Sequence, residues 1–171
     1  DTDRSRGLGD VYKRQILKSP LMMELKQIID HSGISCSGII VELTESGYLE
    51  GTPAVRSVWN DMKKLRIQIA LDDFGTGYSN LMNISNLEPD IVKLDRGFTL
   101  KALSRSYEYQ LMQYVIEMVH KLNQYVCVEG VETKEDLEKI KALGPDLIQG
   151  YYYSKPCSRD EFLKKFFGYS E

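Results

Sequence analysis

Two adjacent carboxylates, Asp72 and Asp73, follow a short apolar run and precede a glycine-rich turn. The run over residues 67–71 is rich in β-branched side chains, which is typical of a buried strand. Gly75 and Gly77 can adopt positive φ and let the chain turn sharply. Neighbouring carboxylates repel each other unless water or a hard cation such as Mg²⁺ or Mn²⁺ neutralises them. The stretch therefore predicts a strand that delivers two acids to a loop, as a metal site or as solvated acids that cap a helix.

Polar residues also stand at the ends of the other apolar runs. Side chains two apart on a strand share a face, so Lys93 and Asp95 are expected to point the same way. A purely structural sheet needs few charges at these positions, so the pattern favours a functional cluster at one mouth. The polar ends are Glu42, Asp72 with Asp73, Lys93 with Asp95, Glu129, and Gln149.

The elements between these ends alternate between strand and helix. Helical spacing or caps predict helices near residues 21–33, 53–62, 80–84 (capped by Ser79), 107–122, 133–143 (capped by Thr133) and from 158 (capped by Ser158). Strands are predicted at residues 38–44, 67–71, 89–95, 125–130 and 146–150. On the long helix, we expect one face to carry Leu111, Tyr114, Val115, Met118 and Val119.

Repeated strand and helix units predict an α/β fold with parallel strands buried on both faces and joined by right-handed crossovers. A doubly wound sheet would show a glycine-rich phosphate turn, and the sequence has no such motif. A barrel carries polar residues at the carboxyl ends of its strands, as seen here. The prediction is therefore an incomplete (β/α)8, or TIM, barrel with about five units.

Composition and charge exclude several classes of function. The 171 residues suit one domain, and a net charge of −3 offers no broad basic surface for DNA or RNA. The three cysteines lack CxxC spacing, which favours a reducing, cytoplasmic setting over disulfides or zinc. The sequence has no apolar run long enough to span a membrane and no signal-peptide pattern, so we expect no direct membrane contact. Residues 1–15 are predicted to be a non-native or disordered leader before a domain at 16–171.

Taken together, five segments resemble the successive motifs of EAL-type cyclic-di-GMP phosphodiesterases. They cover the chain from about residue 16 onward and occur in the family's order. The segments are VELTES (41–46), LDDFGTGYS (71–79), VKLD (92–95), VEGVET (128–133) and QGYY (149–152).

The resemblance implies a modified TIM barrel that hydrolyses cyclic di-GMP to linear pGpG with two divalent cations, Mg²⁺ or Mn²⁺. Such cations bind phosphate oxygens and lower the pKa of water. The resemblance implies metal ligands at Glu42, Asp72, Asp73 and Asp95. It implies catalytic roles near the metal site for Lys93, Glu129 and Gln149. It also implies that Glu45 steadies the loop that carries the two aspartates.

The sequence also departs from the family. It has no Glu-Ala-Leu tripeptide, and no asparagine stands about thirty residues before Glu42, where the family has a ligand; Asp10 lies near that place. We expect that the first strands are missing. The chain by itself would then expose apolar residues behind Ile40, Ala70 and Ile91 and aggregate or associate through open sheet edges. We also expect it to bind metal weakly and to show little or no hydrolysis on its own.

Two alternatives remain: a non-catalytic EAL-like module that binds cyclic di-GMP or a protein, and an unrelated metal-dependent barrel enzyme. A homo-oligomer, or sensory or diguanylate-cyclase domains in the parent protein, would be compatible both with an EAL-type phosphodiesterase and with a non-catalytic EAL-like module.

Overall fold

The structure, a computed structural model, describes residues 21–44, 53–76, 84 and 88–168. The leader, Glu45, Gly77, Ser79 and most of the short helix predicted after Ser79 lie outside these residues. In chain order the elements are α1 (Leu21–Ser32), a 3-10 helix (Cys36–Gly38), β1 (Ile40–Thr44), α2 (Pro53–Lys64), β2 (Gln68–Phe74), β3 (Ile91–Leu94), α3 (Arg96–Ser104), α4 (Ser106–Lys121), β4 (Tyr125–Val128), α5 (Lys134–Lys141), β5 (Leu147–Ile148) and α6 (Arg159–Phe167).

The five strands form one sheet in which every neighbouring pair is parallel. Their spatial order, β1-β2-β3-β4-β5, is also their order along the chain. Parallel neighbours need crossover connections, which the helices between the strands supply. This arrangement confirms the α/β class and the five parallel units that the sequence predicts.

Alternation along the strands separates the sheet into two faces. One face carries Ile69, Leu71, Val92, Leu94 and, on β4, Val126 and Val128, all inaccessible to solvent or nearly so. These residues form one core with the buried sides of the helices, including Trp59, Met62, Met112, Ile116, Val119, Leu137 and Ile140. The hydrophobic effect therefore stabilises the helix-covered face.

The opposite face has a much smaller apolar cluster of Ala70, Ile91 and Cys127. Of the three positions expected to mark an uncovered surface, Ile40 is 47% exposed, but Ala70 and Ile91 are buried. The expectation is wrong for these two, because they pack on each other and on Cys127 across neighbouring strands. Exposed apolar side chains on this face are instead at its margins, at Ile40, Tyr125 and Leu147.

Helix α3 was not predicted. The Asp95 side chain accepts a hydrogen bond from the Gly97 backbone N–H and caps it. Its buried residues, Phe98, Thr99 and Ala102, give only a short apolar stripe interrupted by a polar residue, so the sequence carries a weak periodic signal.

The predicted face of α4 is partly wrong. Val115 and Val119 are buried as expected, together with Met112 and Ile116, whereas Leu111 and Tyr114 are 41% and 66% exposed. Apolar residues on this helix form two overlapping stripes, and periodicity alone does not choose between them. Packing against α3 and β4 selects the stripe that is buried.

Two aspartates at the amino ends of strands make the same contacts. Asp90 and Asp146 each follow a proline, and each exchanges two hydrogen bonds with the backbone of a neighbouring strand, Asp90 with Ile69 and Asp146 with Val126. Each also pairs with a basic residue of a preceding helix. Lys63 lies 3.0 Å from Asp90, and His120 Nε2 lies 2.8 Å from Asp146. The two aspartates therefore fasten strands and helices together at the end opposite the polar tips.

We expect Asp146→Asn to weaken the fold in a pH-dependent way. Burial raises the pKa of Asp146, but the hydrogen bonds from Val126 and His120 outweigh it and leave the pKa lowered. A lowered carboxyl pKa stabilises the fold above the unfolded value of about 3.9, and this contribution is lost as pH falls. The variant should lose about 1 kcal/mol in urea unfolding at pH 7, and the deficit should persist to about pH 4 and shrink only below it, toward about pH 3. Asp30→Asn, at an exposed site on α1, is the control, and an equal deficit at pH 7 and at about pH 3 would contradict this account.

Candidate functional site

The side chain of Lys93 is the centre of the polar cluster. Its ammonium nitrogen lies 2.9 Å from Glu42 Oε1, 3.0 Å from Asp72 Oδ1 and 2.8 Å from Glu129 Oε1. Glu42 is on β1, Asp72 on β2 and Lys93 on β3, while Glu129 directly follows β4. Since all four strands are parallel, their carboxyl ends meet at one edge of the sheet, where the four side chains converge.

The charges of this cluster do not balance. Lys93 is only 6% exposed, and burial by itself lowers the pKa of its ammonium. The ion pairs with Glu129, Glu42 and Asp72 outweigh burial, so the pKa of Lys93 is raised and the group stays charged. One positive charge faces three carboxylates, which leaves two negative charges in excess when all are ionised. Such an excess in a partly buried site attracts a divalent cation.

A β-bulge explains how both aspartates of β2 reach this edge. Leu71 pairs with Val92 and Phe74 with Leu94, so β2 contains one more residue than β3 between these pairs. Asp73 takes up the extra residue with φ of 60°, a left-handed conformation that aspartate tolerates better than most residues. The bulge returns Phe74 to the core, where it is 3% exposed.

Asp73 is electrostatically part of the same cluster. Its pKa is raised, first by partial burial and then by the negative charges of Asp72 and Asp95, while Lys93 acts in the opposite direction. Gly75 follows with φ of 102°, and a Cβ atom there would approach Phe98 Cδ1 to 2.8 Å. Glycine at this position therefore allows both the turn and the close contact with α3.

The remaining predicted site residues lie at the margin of the cluster. Asp95 Oδ1 accepts the hydrogen bond that caps α3, and no Lys93 contact with it is observed. Gln149 is exposed, and its backbone bonds to Val128 and Val131. Glu45 lies outside the described residues. The structure thus brings together Glu42, Asp72, Lys93 and Glu129, and Asp95 is close enough for its charge to raise the pKa of Asp73.

Sequence reasoning did not single out Cys127 as part of this region. Cys127 pairs in register with Lys93 and shares a face with the Glu129 tip two residues later. Burial, and then the charge of Glu129, raise the pKa of the thiol to about 11. The alternation of side chains along β4 was the signal available, because every second residue faces the cluster. Cys127 also lines a cavity of about 800 Å³ beside β5, with Gln149 and Tyr151.

The donor set of the cluster fits a divalent metal in chemistry and charge. Carboxylate oxygens are ligands for Mg²⁺ and Mn²⁺. Asp72 Oδ1 is buried and makes no well-formed hydrogen bond, although Lys93 Nζ lies 3.0 Å away. An oxygen in this state has a lone pair to offer a cation. Among the described residues, no three acidic, histidine or cysteine side chains are already arranged around a single metal position.

The fold and site define a parallel α/β protein with an acidic cluster at the carboxyl ends of its strands. Residues 11–156 match the model of the EAL domain, so the chain belongs to the EAL domain family. The cyclic di-GMP phosphodiesterase NbdA of Pseudomonas aeruginosa is 28% identical over 152 residues, which cover 87% of this chain and 19% of NbdA. The chain spans between 18% and 53% of the length of the first four curated relatives it matches.

Solved structures of EAL enzymes share the fold. The EAL enzyme Bd1971, in a form with cAMP and cyclic di-GMP bound, has a TM-score of 0.82 at 30% identity, covering 88% of this chain and 40% of that one. BlrP1 of Klebsiella pneumoniae, in a complex with manganese and cyclic di-GMP, has a TM-score of 0.75 at 25% identity, covering 85% and 37%. These similarities confirm the expected modified-barrel architecture. Among the described residues, no helix combines the length and apolarity that crossing a bilayer requires.

We expect Asp73→Asn to stabilise the metal-free protein slightly. The raised pKa means that the folded state disfavours the charged form of Asp73, so the ionised group costs stability above that pKa and not below it. Asparagine tolerates the left-handed backbone and removes the charge. The melting temperature in chelator should rise at pH 8, and the gain should shrink as pH falls. Asp73→Ala, which removes the charge but strains the backbone, is the comparison, and a lower melting temperature for Asp73→Asn at pH 8 would contradict this reading.

Lys93→Met should destabilise the protein, because it leaves three carboxylates close together without their cation. We expect a loss on the order of 3 kcal/mol in urea unfolding with chelator present. Added Mn²⁺ should recover part of this loss, since the same oxygens can bind it. Lys64→Met removes an exposed lysine that pairs with Asp61 and is the matched control. Equal stability of Lys93→Met and the control in chelator would show that the cluster does not depend on the ammonium.

Proposed function

We propose that this chain forms part of a cyclic-di-GMP phosphodiesterase, which cleaves one phosphodiester of its substrate with water to give linear pGpG. The observation that carries the proposal is the Lys93 cluster, in which carboxylates from three other segments converge on one ammonium group. Membership of the EAL domain family supports it, as do relatives named as cyclic di-GMP phosphodiesterases. The binding of cyclic di-GMP by solved EAL structures supports the substrate class.

In this proposal the residues divide into two groups. Glu42, Asp72, Asp73 and Asp95 would hold two divalent cations, Mg²⁺ or Mn²⁺, through carboxylate oxygens. When bound, these ions supply Lewis acidity toward the phosphate and lower the pKa of water. The manganese and calcium complexes of the related BlrP1 support the use of divalent ions.

The second group acts on the phosphate and the attacking water. Lys93, held in its charged form by its partners, would stabilise negative charge that develops on the phosphate oxygens. Glu129 is within contact distance of Lys93 and would accept a proton from the water. Gln149 would orient the site through its side-chain amide, and Glu45 would steady the loop after β1.

The same proposal includes the cellular location of the chain, the domains that accompany it and its oligomeric state. We place the chain in the cytoplasm, in keeping with its three free cysteines. The chain spans a small share of several relatives, which is compatible with sensory or diguanylate-cyclase domains in a parent protein. A homo-oligomer is compatible with the exposed margins of the sheet at Ile40 and Leu147.

A second candidate is a module that binds cyclic di-GMP without cleaving it. One observation favours it: each of the three carboxylates has an oxygen within 3.0 Å of Lys93, and within the described residues no ligand set is preformed around a metal position. A module of this kind would bind the dinucleotide with similar affinity in the presence of chelator and of Mn²⁺. A phosphodiesterase, by contrast, would show hydrolysis that depends strongly on the metal.

We expect a complete domain that contains this chain to convert cyclic di-GMP to pGpG with Mg²⁺ or Mn²⁺, and the conversion can be measured by chromatography. Asp72→Asn should lower kcat about 100-fold or more, since the change keeps the shape of the side chain but removes the charge a cation needs. Its melting temperature should remain near that of the wild type.

Asp160→Asn, at an exposed position of α6, is the control and should keep full activity. Undiminished turnover of Asp72→Asn would contradict the assignment of the metal site. Metal-independent binding without any turnover by the wild type would favour the binding module.

A further inference from the structure

A second ion pair joins the same two strand ends outside the Lys93 cluster. Arg96 Nη2 lies 2.7 Å from Glu132 Oε1, and Arg96 Nε donates to the same oxygen at 3.3 Å. Arg96 follows Lys93 by three residues, and Glu132 follows Glu129 by three residues. An inner pair, Lys93 with Glu129, and an outer pair, Arg96 with Glu132, therefore bridge the ends of β3 and β4.

Gly130 lies between the two pairs, directly against the stem of Arg96. A Cβ atom at Gly130 would approach Arg96 Cγ to 2.3 Å and Arg96 Cβ to 2.8 Å. Gly130 also has φ of 79°, which side chains disfavour. The turn after Glu129 is thus shaped so that Arg96 can lie across it and reach Glu132.

Backbone hydrogen bonds hold the same turn on both sides. The Glu129 N–H donates to the Leu94 carbonyl at 3.1 Å, and the Val131 N–H donates to the Gln149 carbonyl at 3.3 Å. The contact of Arg96 with Glu132 closes this turn on its outer side. Glu129 is therefore restrained by its backbone, by Lys93 and by a neighbouring turn that Arg96 covers.

We propose that Arg96 and Glu132 are positioning residues, which hold the Glu129–Gly130 turn so that the Glu129 carboxylate stays on Lys93. This inference rests on the proposed function for its catalytic consequence. Neither residue contacts the Lys93 ammonium, so both act through the position of Glu129.

A plain surface ion pair is the competing explanation. The side chains of Arg96 and Glu132 are 57% and 41% exposed, and pairs with this exposure contribute little to global stability. A plain surface pair would therefore leave both the local motion of the turn and kcat unchanged. The two explanations therefore predict different motion of the turn and different kcat, but the same melting temperature.

The test uses Glu132→Gln, which keeps side-chain size while removing charge, and Arg96→Met, which keeps an unbranched apolar stem while removing the guanidinium. A third variant carries the exchanged pair, Arg96→Glu with Glu132→Arg. Glu135→Gln is the matched control, because it breaks an exposed pair with Lys139 of 2.8 Å away from the turn. Amide hydrogen exchange by NMR, without substrate, should be three- to tenfold faster at Glu129 and Val131 in both single variants. Exchange at Val92 and Val126 should stay within twofold of wild type.

Turnover of cyclic di-GMP provides the second measurement. In both single variants kcat should fall about tenfold with KM within threefold, and the exchanged pair should recover part of kcat and slow the exchange at Glu129. Unchanged exchange at Glu129 and Val131, equal acceleration at all four amides, or unchanged kcat in active protein would overturn the proposal. The turnover measurements use a complete domain that contains this chain. A complete domain that does not hydrolyse cyclic di-GMP would count against the proposed function, while the exchange rates would still decide whether the pair holds the turn.

Discussion

The structure of this site depends on one buried positive charge. Three carboxylates from different strands repel one another where water is partly excluded, and they stay together because the Lys93 ammonium is within 3.0 Å of each. Lys93 in turn remains charged at low exposure only because these partners surround it. The parallel register of β1 to β4 is what places all four groups at one edge. A shift of register by one residue would turn each of these side chains to the opposite face.

The two faces of the sheet have different roles, and β2 shows how one strand serves both. Its apolar residues pack beneath the helices, while Ala70 and Asp72 lie on the other face. The bulge at Asp73 adds a residue without moving Phe74 out of the core. A left-handed aspartate in a strand is an unfavourable local conformation. We infer that packing of Phe74 and pairing on both sides of the bulge maintain it.

The amino and carboxyl ends of the strands also have different roles. At the amino ends, Asp90 and Asp146 accept hydrogen bonds from backbone donors of neighbouring strands, and each is matched with one basic side chain, Lys63 or His120. At the carboxyl ends, carboxylates outnumber the single ammonium among them. Matched pairs stabilise a fold without demanding a ligand, whereas excess negative charge leaves binding capacity for a cation. Stability and chemistry are therefore assigned to opposite ends, as in barrels that carry their active sites at the carboxyl ends of the strands.

The sequence by itself determined the five strand and helix units, the polar ends of the strands and the family that they resemble. These features are local, because apolar periodicity, caps and turn residues act over a few positions. The sequence did not determine α3, the buried stripe of α4, the bulge at Asp73 or the bridge between Arg96 and Glu132. Each of these depends on contacts between residues distant in the chain: Phe98 against Gly75, Arg96 against Gly130, and Phe74 in the common core. Periodicity fixes which residues can face inward, and only tertiary packing decides which of them do.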